Sequence, residues 1–238
     1  MNVSVIIPTY HEPRIVEALE SVLQQVGVTT ECIVVDGAQT PEGFPATLLN
    51  HPSITFIHEA DTGVYDAINK GIARAKGDWI LVLGANDKLA TAEVLAELLK
   101  HSNAISLIHG NANYISKTHS LTPWISTTQF DGSLYWRHRM HQQAVLYHRS
   151  LFKNETFNTA YKILGDYDFH LRLLKSGISS MYVDVLVSEC DGDGLSKNFH
   201  WKLYSEELKI KKQHLPTWAY ACNVMWVPMK FLVKKLIR

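Results

Sequence analysis

The stretch from Asp61 to Leu89, DTGVYDAINKGIARAKGDWILVLGANDKL, places a carboxylate, Asp87, just beyond a buried apolar run. It reads as an amphipathic helix, a turn, a strand and a polar loop at the strand's carboxyl end. In open α/β sheets ligands bind at that end of the strands. A carboxylate there suits a divalent cation held against a phosphorylated ligand, because Mg²⁺ is bound through one or two carboxylates plus phosphate oxygens. The first apolar run ends similarly in Thr9-Tyr10 and the second in Asp36. A lone Asp after a strand is most often a turn former or a helix cap. Three polar strand ends on one edge make a ligand site an equal reading.

The elements that must position these residues follow from apolar periodicity. Val3 to Ile7, Cys32 to Val35, Ile54 to Ile57, Trp79 to Leu83 and Ile105 to Ile108 read as buried strands. Between them lie a helix carrying Ile15, Val16, Leu19, Val22 and Leu23, with Pro13 in its first turn and Gly27 at its end, and a short helix around Leu48 after the segment TPEGFP. A helix from Tyr65 to Ala75 and one from Thr91 to Lys100, capped by Thr91, complete the series. Strands alternating with helices predict an α/β fold with a mostly parallel sheet covered on both faces. After about His109 the rhythm changes. Asn113 to Phe130 reads as antiparallel strands and loops, Ala144 to Tyr147 as a strand, Asp166 to Lys175 as a helix and Ile178 to Val187 as a strand. The expected organisation is one domain over 1–215, with a nucleotide-type α/β half at 1–110 and a mixed half at 111–215, then a helical tail at 216–238.

The chain has 238 residues, 46% of them hydrophobic and 19% charged, with 23 acidic and 23 basic side chains. This is an ordinary globular composition with no global charge that would draw nucleic acid. The N-terminus lacks the basic segment and long apolar run of a signal peptide. Cys32, Cys190 and Cys222 are far apart and read as reduced, mostly buried thiols of a cytosolic protein. Neither GxGxxG after the first strand nor GxxxxGK[ST] is present, which argues against dinucleotide oxidoreductases and P-loop NTPases.

SVIIPTY, ALESVLQQ, ECIVVDG and DTGVYDAINKGIARAKGDWILVLGAND, followed by HQQAVLYHRSLF and GDYDFHLRLLKSG, resemble family 2 glycosyltransferases of the GT-A fold over about residues 3–196. The resemblance implies transfer of a sugar from a nucleotide-diphosphate donor, UDP-linked by preference, to an acceptor hydroxyl with inversion. The acceptor it implies is a lipid-linked or growing surface polysaccharide, with 1–110 as the nucleotide-sugar-binding half and 111–215 as the acceptor-side half. It implies that Pro8 and Tyr10 line the nucleotide pocket, that Asp36 sits at the base and ribose end, and that Asn69 faces the same pocket. Asn86 matches the residue that contacts the ribose or supports the metal, Asp87 the ligand of Mg²⁺ or Mn²⁺, and Asp166 the general base. Two departures stand out: the usual acidic pair after the fourth strand is Asn86-Asp87, and a second acid after Asp36 is replaced by Gly37.

Several residues keep two readings. Asp166 is a base by resemblance and a helix N-cap by spacing, and Asp168 supports the helix or meets the acceptor. His141 and Gln142 line the acceptor or diphosphate pocket or anchor a loop. Trp136-Arg137-His138-Arg139 holds phosphate or is a solvated basic loop. Asp191-Gly192-Asp193-Gly194 lacks the later ligands of an EF-hand and reads as a turn near the site. From Trp218 onward, about 16 apolar residues interrupted by Asn223 and Pro228 are short for a membrane span. With Lys230, Lys234, Lys235 and Arg238 they suit a helix lying on an anionic membrane surface, or a final helix packed on the domain. Beside a transferase that is cytoplasmic, or peripheral on the inner membrane face, two other functions fit the pattern: a sugar nucleotidyltransferase and a catalytically silent nucleotide-sugar-binding protein.

Overall fold

The computed structural model describes residues 2–10, 12, 14–38, 46–115, 124–192 and 200–236. Pro13, the TPEGFP segment, Asp193-Gly194, Arg238 and the side chains of Lys234 and Lys235 lie outside the described residues. The first half alternates as expected: β1 (Asn2–Thr9), α1 (Ile15–Leu23), β2 (Thr29–Asp36), α2 (Ala46–Leu49), β3 (Ile54–His58), α3 (Val64–Arg74) and β4 (Trp79–Val82). The two-residue β5 (Lys88–Leu89), too short to carry a periodic signal, precedes α4 (Val94–Leu99). The second half contains β6 (Leu107–Ile115), β7 (Trp124–Thr127), β8 (Val145–His148), α5 (Gly165–Lys175), β9 (Ser180–Asp191), α6 (Trp201–His214) and α7 (Thr217–Leu236).

One sheet runs through both halves in the order β3-β2-β1-β4-β8-β6-β9-β5, with β7 on β6. β3, β2, β1 and β4 are parallel neighbours. β8 enters antiparallel to β4 and β6, while β6 and β9 are parallel to each other. Successive side chains point to opposite faces of a strand. Val3, Val5 and Ile7 therefore join Leu19, Val22, Leu95 and Leu98 on one face, while Ile6 joins Ile68, Tyr147, Phe157 and Phe169 on the other. This direction pattern brings the ends of β1, β2, β4, β6 and β9 and the start of β8 to the same edge. That edge carries Thr9, Asp36, Asp87, Tyr114, Asp191 and Gln142.

Local corrections have local causes. Thr91 does not cap α4, which begins at Val94; the Leu95 N–H instead donates to Gln25 Oε1 at 3.2 Å, and Gln25 Nε2 donates to the Thr91 carbonyl at 2.7 Å. The strand expected at Ile105 to Ile108 starts at Leu107 and runs on to Ile115, through polar residues that pair on both sides. A register shift at Gly110 accompanies this, where an added Cβ would meet Val187 Cγ2 at 2.7 Å and the Val185 carbonyl at 2.8 Å. Glycine is favoured where backbones approach this closely.

α6 and α7 pack together at the C-terminal end. Lys211, 1% exposed, donates to Asn223 Oδ1 at 2.7 Å and to the Trp136 carbonyl at 3.0 Å, and pairs with Glu207 at 2.8 Å. A buried ammonium is tolerated only when its donors are satisfied. Among the described residues, no helix is long and apolar enough to cross a membrane.

Candidate active site

A cavity of about 590 Å³ opens at the shared strand edge. β1 contributes Pro8, Thr9 and Tyr10, and the loop after β4 contributes Gly84 to Asp87. Tyr114 comes from the end of β6, His141 to Gln143 from the entry to β8, Asp166 from the first turn of α5, and Asp191 from the end of β9. Elements distant in sequence thus converge because their strand directions agree.

Asp87 is 5% exposed, and its Oδ1 accepts the Asp191 N–H at 2.8 Å. Burial raises its carboxyl to about 6, and the neighbouring Asp191 charge adds to the rise; the Asp191 N–H and the Gln143 side chain pull the other way. Asp191 Oδ2 in turn accepts from Asn86 Nδ2 at 2.9 Å and from Arg14 at 2.6 Å. The polar but uncharged Asn86 therefore sits beside a second carboxylate supplied by β9. Asp87 and Asp191 thus stand side by side at a largely buried edge, and carboxylate oxygens are the ligands a hard divalent cation prefers.

Asp166 is not the N-cap of α5. Leu164 holds that position, and the free N–H groups of Lys162, Ile163 and Leu164 donate to the Glu206 carboxylate of α6 at 2.9, 2.9 and 3.1 Å. The Asp166 carboxylate, in the first turn of α5, lines the cavity. Its Oδ1 lies 3.1 Å from the Tyr65 hydroxyl and its Oδ2 3.5 Å from His138 Nε2. His138, Asp166 and His170 bring ligand-type atoms within 4.8 Å of one another. His170 is fully buried, is held neutral by desolvation, and bonds Tyr147 through Nε2 at 2.6 Å. His141 uses both ring nitrogens, on Tyr114 Oη at 2.8 Å and Ser126 Oγ at 2.6 Å, while Gln142 Nε2 is buried without a hydrogen-bond partner.

Three residues expected in or near the site do not line the cavity. Asn69 does not face the cavity: its amide pairs with the Phe157 backbone, accepting at 3.0 Å and donating at 2.8 Å, and so anchors a loop. Asp36 lies at the strand edge, 1% exposed, accepting the Ala38 N–H at 3.0 Å beside His58, but it does not line the cavity. Asp168 accepts from Arg172 at 3.0 Å and meets His214 at 2.8 Å, which is the helix-support alternative.

The family model for glycosyl transferase family 2 matches residues 4–176. The chain belongs to that family. It is 32% identical over 195 residues to the "PGL/p-HBAD biosynthesis glycosyltransferase" of Mycobacterium tuberculosis, covering 78% of this chain and 75% of the relative. The crystal structure of S. aureus TarS 1-349 in complex with UDP-GlcNAc superposes with a TM-score of 0.68 at 16% identity over 90% of this chain and 66% of that one. The mannosyltransferase PcManGT from Pyrobaculum calidifontis, in complex with GDP-Man and Mn²⁺, gives a TM-score of 0.61 at 18% identity over 90% and 61%. The chain thus spans less than two thirds of each of these solved chains, and the likeness to them is one of fold, the GT-A fold. Within this glycosyltransferase, Pro8, Tyr10, Asn86, Asp87, His141, Gln142 and Asp166 share one cavity. The residue-by-residue reading missed Tyr65 and Tyr114, took His138 only as part of a phosphate-holding or solvated basic loop, had Gln143 in the same short motif as His141 and Gln142, and treated Asp191 only as part of a turn. The signal for Asp191 was a carboxylate ending a β-run, the same signal that singled out Asp36.

Proposed function

We propose that this family 2 glycosyltransferase moves a sugar from a nucleoside-diphosphate donor to an acceptor hydroxyl with inversion, Asp166 acting as the general base. The observation that carries this is the placement of Asp87 and Asp166 in the walls of a single cavity. The acceptor hydroxyl gives its proton to Asp166 as its oxygen attacks the anomeric carbon, while the bond to the diphosphate oxygen breaks on the opposite face. One displacement inverts the centre and needs no protein nucleophile, by the same face logic as an inverting glycosidase. Tyr65 donates to one oxygen of Asp166 at 3.1 Å, and His138 Nε2 lies 3.5 Å from the other.

Asp87, with Asp191 beside it, would hold Mg²⁺ or Mn²⁺. Such an ion, when bound, offsets the charge developing on the diphosphate. The Asp191 N–H bond to Asp87 Oδ1, which keeps the two residues side by side at the cavity wall, supports this assignment. Pro8, Tyr10 and Asn86 then belong to the donor side, with Asp36 at its outer end, and His141 and Gln142 lie toward the diphosphate. A UDP-sugar is the favoured donor, in keeping with the UDP-GlcNAc held by TarS. A silent binding protein had its support in Asn86, and the nearby Asp191 weakens that support.

Asp166→Asn tests the base. Turnover should fall at least about 10²-fold, in the range of general-base contributions, with UDP affinity nearly unchanged by calorimetry. Wild-type-like turnover in this variant would remove Asp166 from the role.

We further infer a lipid-linked or polysaccharide acceptor and a cytoplasmic protein that docks on the inner membrane face through α7. Met225 is 80% exposed, Trp218 67% and Leu232 57%, giving the helix an apolar outer surface. Trp218→Glu with Met225→Glu should reduce co-sedimentation with anionic liposomes several-fold; equal sedimentation would exclude α7 as the contact.

A further inference from the structure

A second hollow, of about 750 Å³, adjoins the donor cavity and shares His138, His141 and Leu164 with it. Most of its wall is family domain, chiefly β7 and the turn at 136–139. The rest, Leu203, Tyr204, Glu207, Trp226 and Lys230, comes from α6 and α7, which lie beyond the 4–176 family match. The part of the wall that α6 and α7 supply, Trp226 and Lys230 included, therefore lies outside the family match.

Two properties of the wall identify an occupant. The first is charge. Arg137, Arg139 and Lys230 line the hollow, and Glu207 is the one acidic residue among its lining side chains. Glu207 is already shared, pairing with Lys211 at 2.8 Å and with Lys230 at 3.0 Å. Arg139 donates to a neutral partner, Gln129 Oε1, at 2.7 Å. The wall thus has more cation than carboxylate, and guanidinium groups are suited to phosphate. The second property is exposed apolar surface. Ile125 is 65% exposed, Trp226 56% and Trp136 49%. The Trp136 ring meets Trp218 with centroids 6.2 Å apart, so the apolar lining continues onto the outer surface of α7. Large apolar side chains grouped in a concave, cationic wall mark a binding groove rather than scattered surface.

We propose that this hollow is the acceptor subsite and that it takes the phosphate-bearing head of a lipid, the phosphate at Arg137 and Arg139 and the chain along Trp136 and Trp226. The inference rests on the transfer reading above. It places the acceptor on the side of the cavity where His138 contacts Asp166, and it gives the apolar face of α7 a second use, as the path by which the chain leaves the hollow.

The test uses the full chain and farnesyl phosphate, a lipid phosphate titrated below its aggregation limit, with farnesol and inorganic phosphate as parallel arms. UDP with Mn²⁺ is titrated in the same preparations. Farnesyl phosphate should bind at least about tenfold more tightly than either of the other two. Arg137→Gln with Arg139→Gln should weaken it about tenfold or more while leaving UDP affinity and the melting temperature unchanged. Trp226→Leu should weaken it several-fold and leave inorganic phosphate as it was. Farnesol binding equally well would overturn the phosphate assignment, and inorganic phosphate binding equally well would overturn the lipid assignment. Farnesyl phosphate affinity indifferent to both variants would overturn the location. The two readings fail separately: UDP-sugar binding and turnover without farnesyl phosphate binding sinks only the acceptor inference, whereas absence of UDP-sugar binding sinks the transfer reading.

Discussion

Asp87 carries a conflict that its neighbours do not resolve by themselves. Burial and the Asp191 charge raise its carboxyl to about 6, so near neutral pH it is ionised at a cost. If it holds the divalent ion proposed above, protons and metal compete for the same oxygens. Mn²⁺-dependent UDP affinity should therefore be constant above about pH 7 and fall roughly tenfold per pH unit below about 6, the limiting slope for one proton displaced. Calorimetric titrations from pH 5 to 8 check this, and a flat profile would place the metal elsewhere. Asp87 and Asp166 were legible from a strand end and from the family motif. Asp191 was harder to find, because its place beside Asp87 depends on β9 being parallel to β6, a pairing that no local pattern encodes. Asn69 shows the converse: its position on α3 was read correctly, but its side chain is taken by the Phe157 backbone, a contact 88 residues away in sequence.

At the level of elements, the junction between α5 and α6 positions Asp166, the base proposed above. The first turn of a helix leaves N–H groups without intrahelical partners. Here the residues leading into α5 and its N-cap send three N–H groups to one carboxylate, Glu206, which is 5% exposed. Glu206→Ala would leave them without that acceptor in a largely buried turn, at a cost of about 2–3 kcal/mol. For a chain of this size that lowers Tm by roughly 5–10 °C. Because the same turn aims Asp166, turnover should fall further than the loss of folded protein explains. Calorimetric melting alongside kinetics on fully folded material separates the two effects; an unchanged Tm would show that water satisfies the turn. The strands and helices of the first half were legible because each is a separate apolar run with a period. β5 and the extension of β6 were not, since one is two residues long and the other runs on as Gly110-Asn111-Ala112-Asn113, residues whose strand character comes from partners on either side. Glu206 had no signal at all, being one acidic residue on a mixed-charge helix.

The whole molecule holds buried ionisable groups of opposite tendency, and its response to acid follows from their balance. His109 is 4% exposed and desolvation lowers it to about 4; fully buried His170 is lowered well below the usual imidazole value. Both take up protons more readily when unfolded, so the stability they contribute is present above the unfolded value near 6.5 and is lost as pH falls toward their folded values. For His109 that loss is about 3 kcal/mol between pH 6.5 and 4. Asp87 acts in the reverse sense. Its raised value means the folded state binds the extra proton, so stability is gained as pH falls from about 6 toward 4, by about 2–3 kcal/mol. Glu12, Asp66, Asp131 and Glu207 are all lowered, so their contributions fade only below the ordinary carboxylate range. Between pH 7 and 4.5 the balance therefore lies with the two histidines against Asp87. In the presence of a chelator, Tm should fall over this interval, and it should fall more steeply in Asp87→Asn, because the amide removes the compensating gain. The variant should also be the more stable of the two at pH 7, where the wild type carries the cost of a buried charge. Parallel melting curves for the two proteins would reject this account if they tracked each other across the interval, since that would mean Asp87 is ionised as freely in the fold as in the unfolded chain.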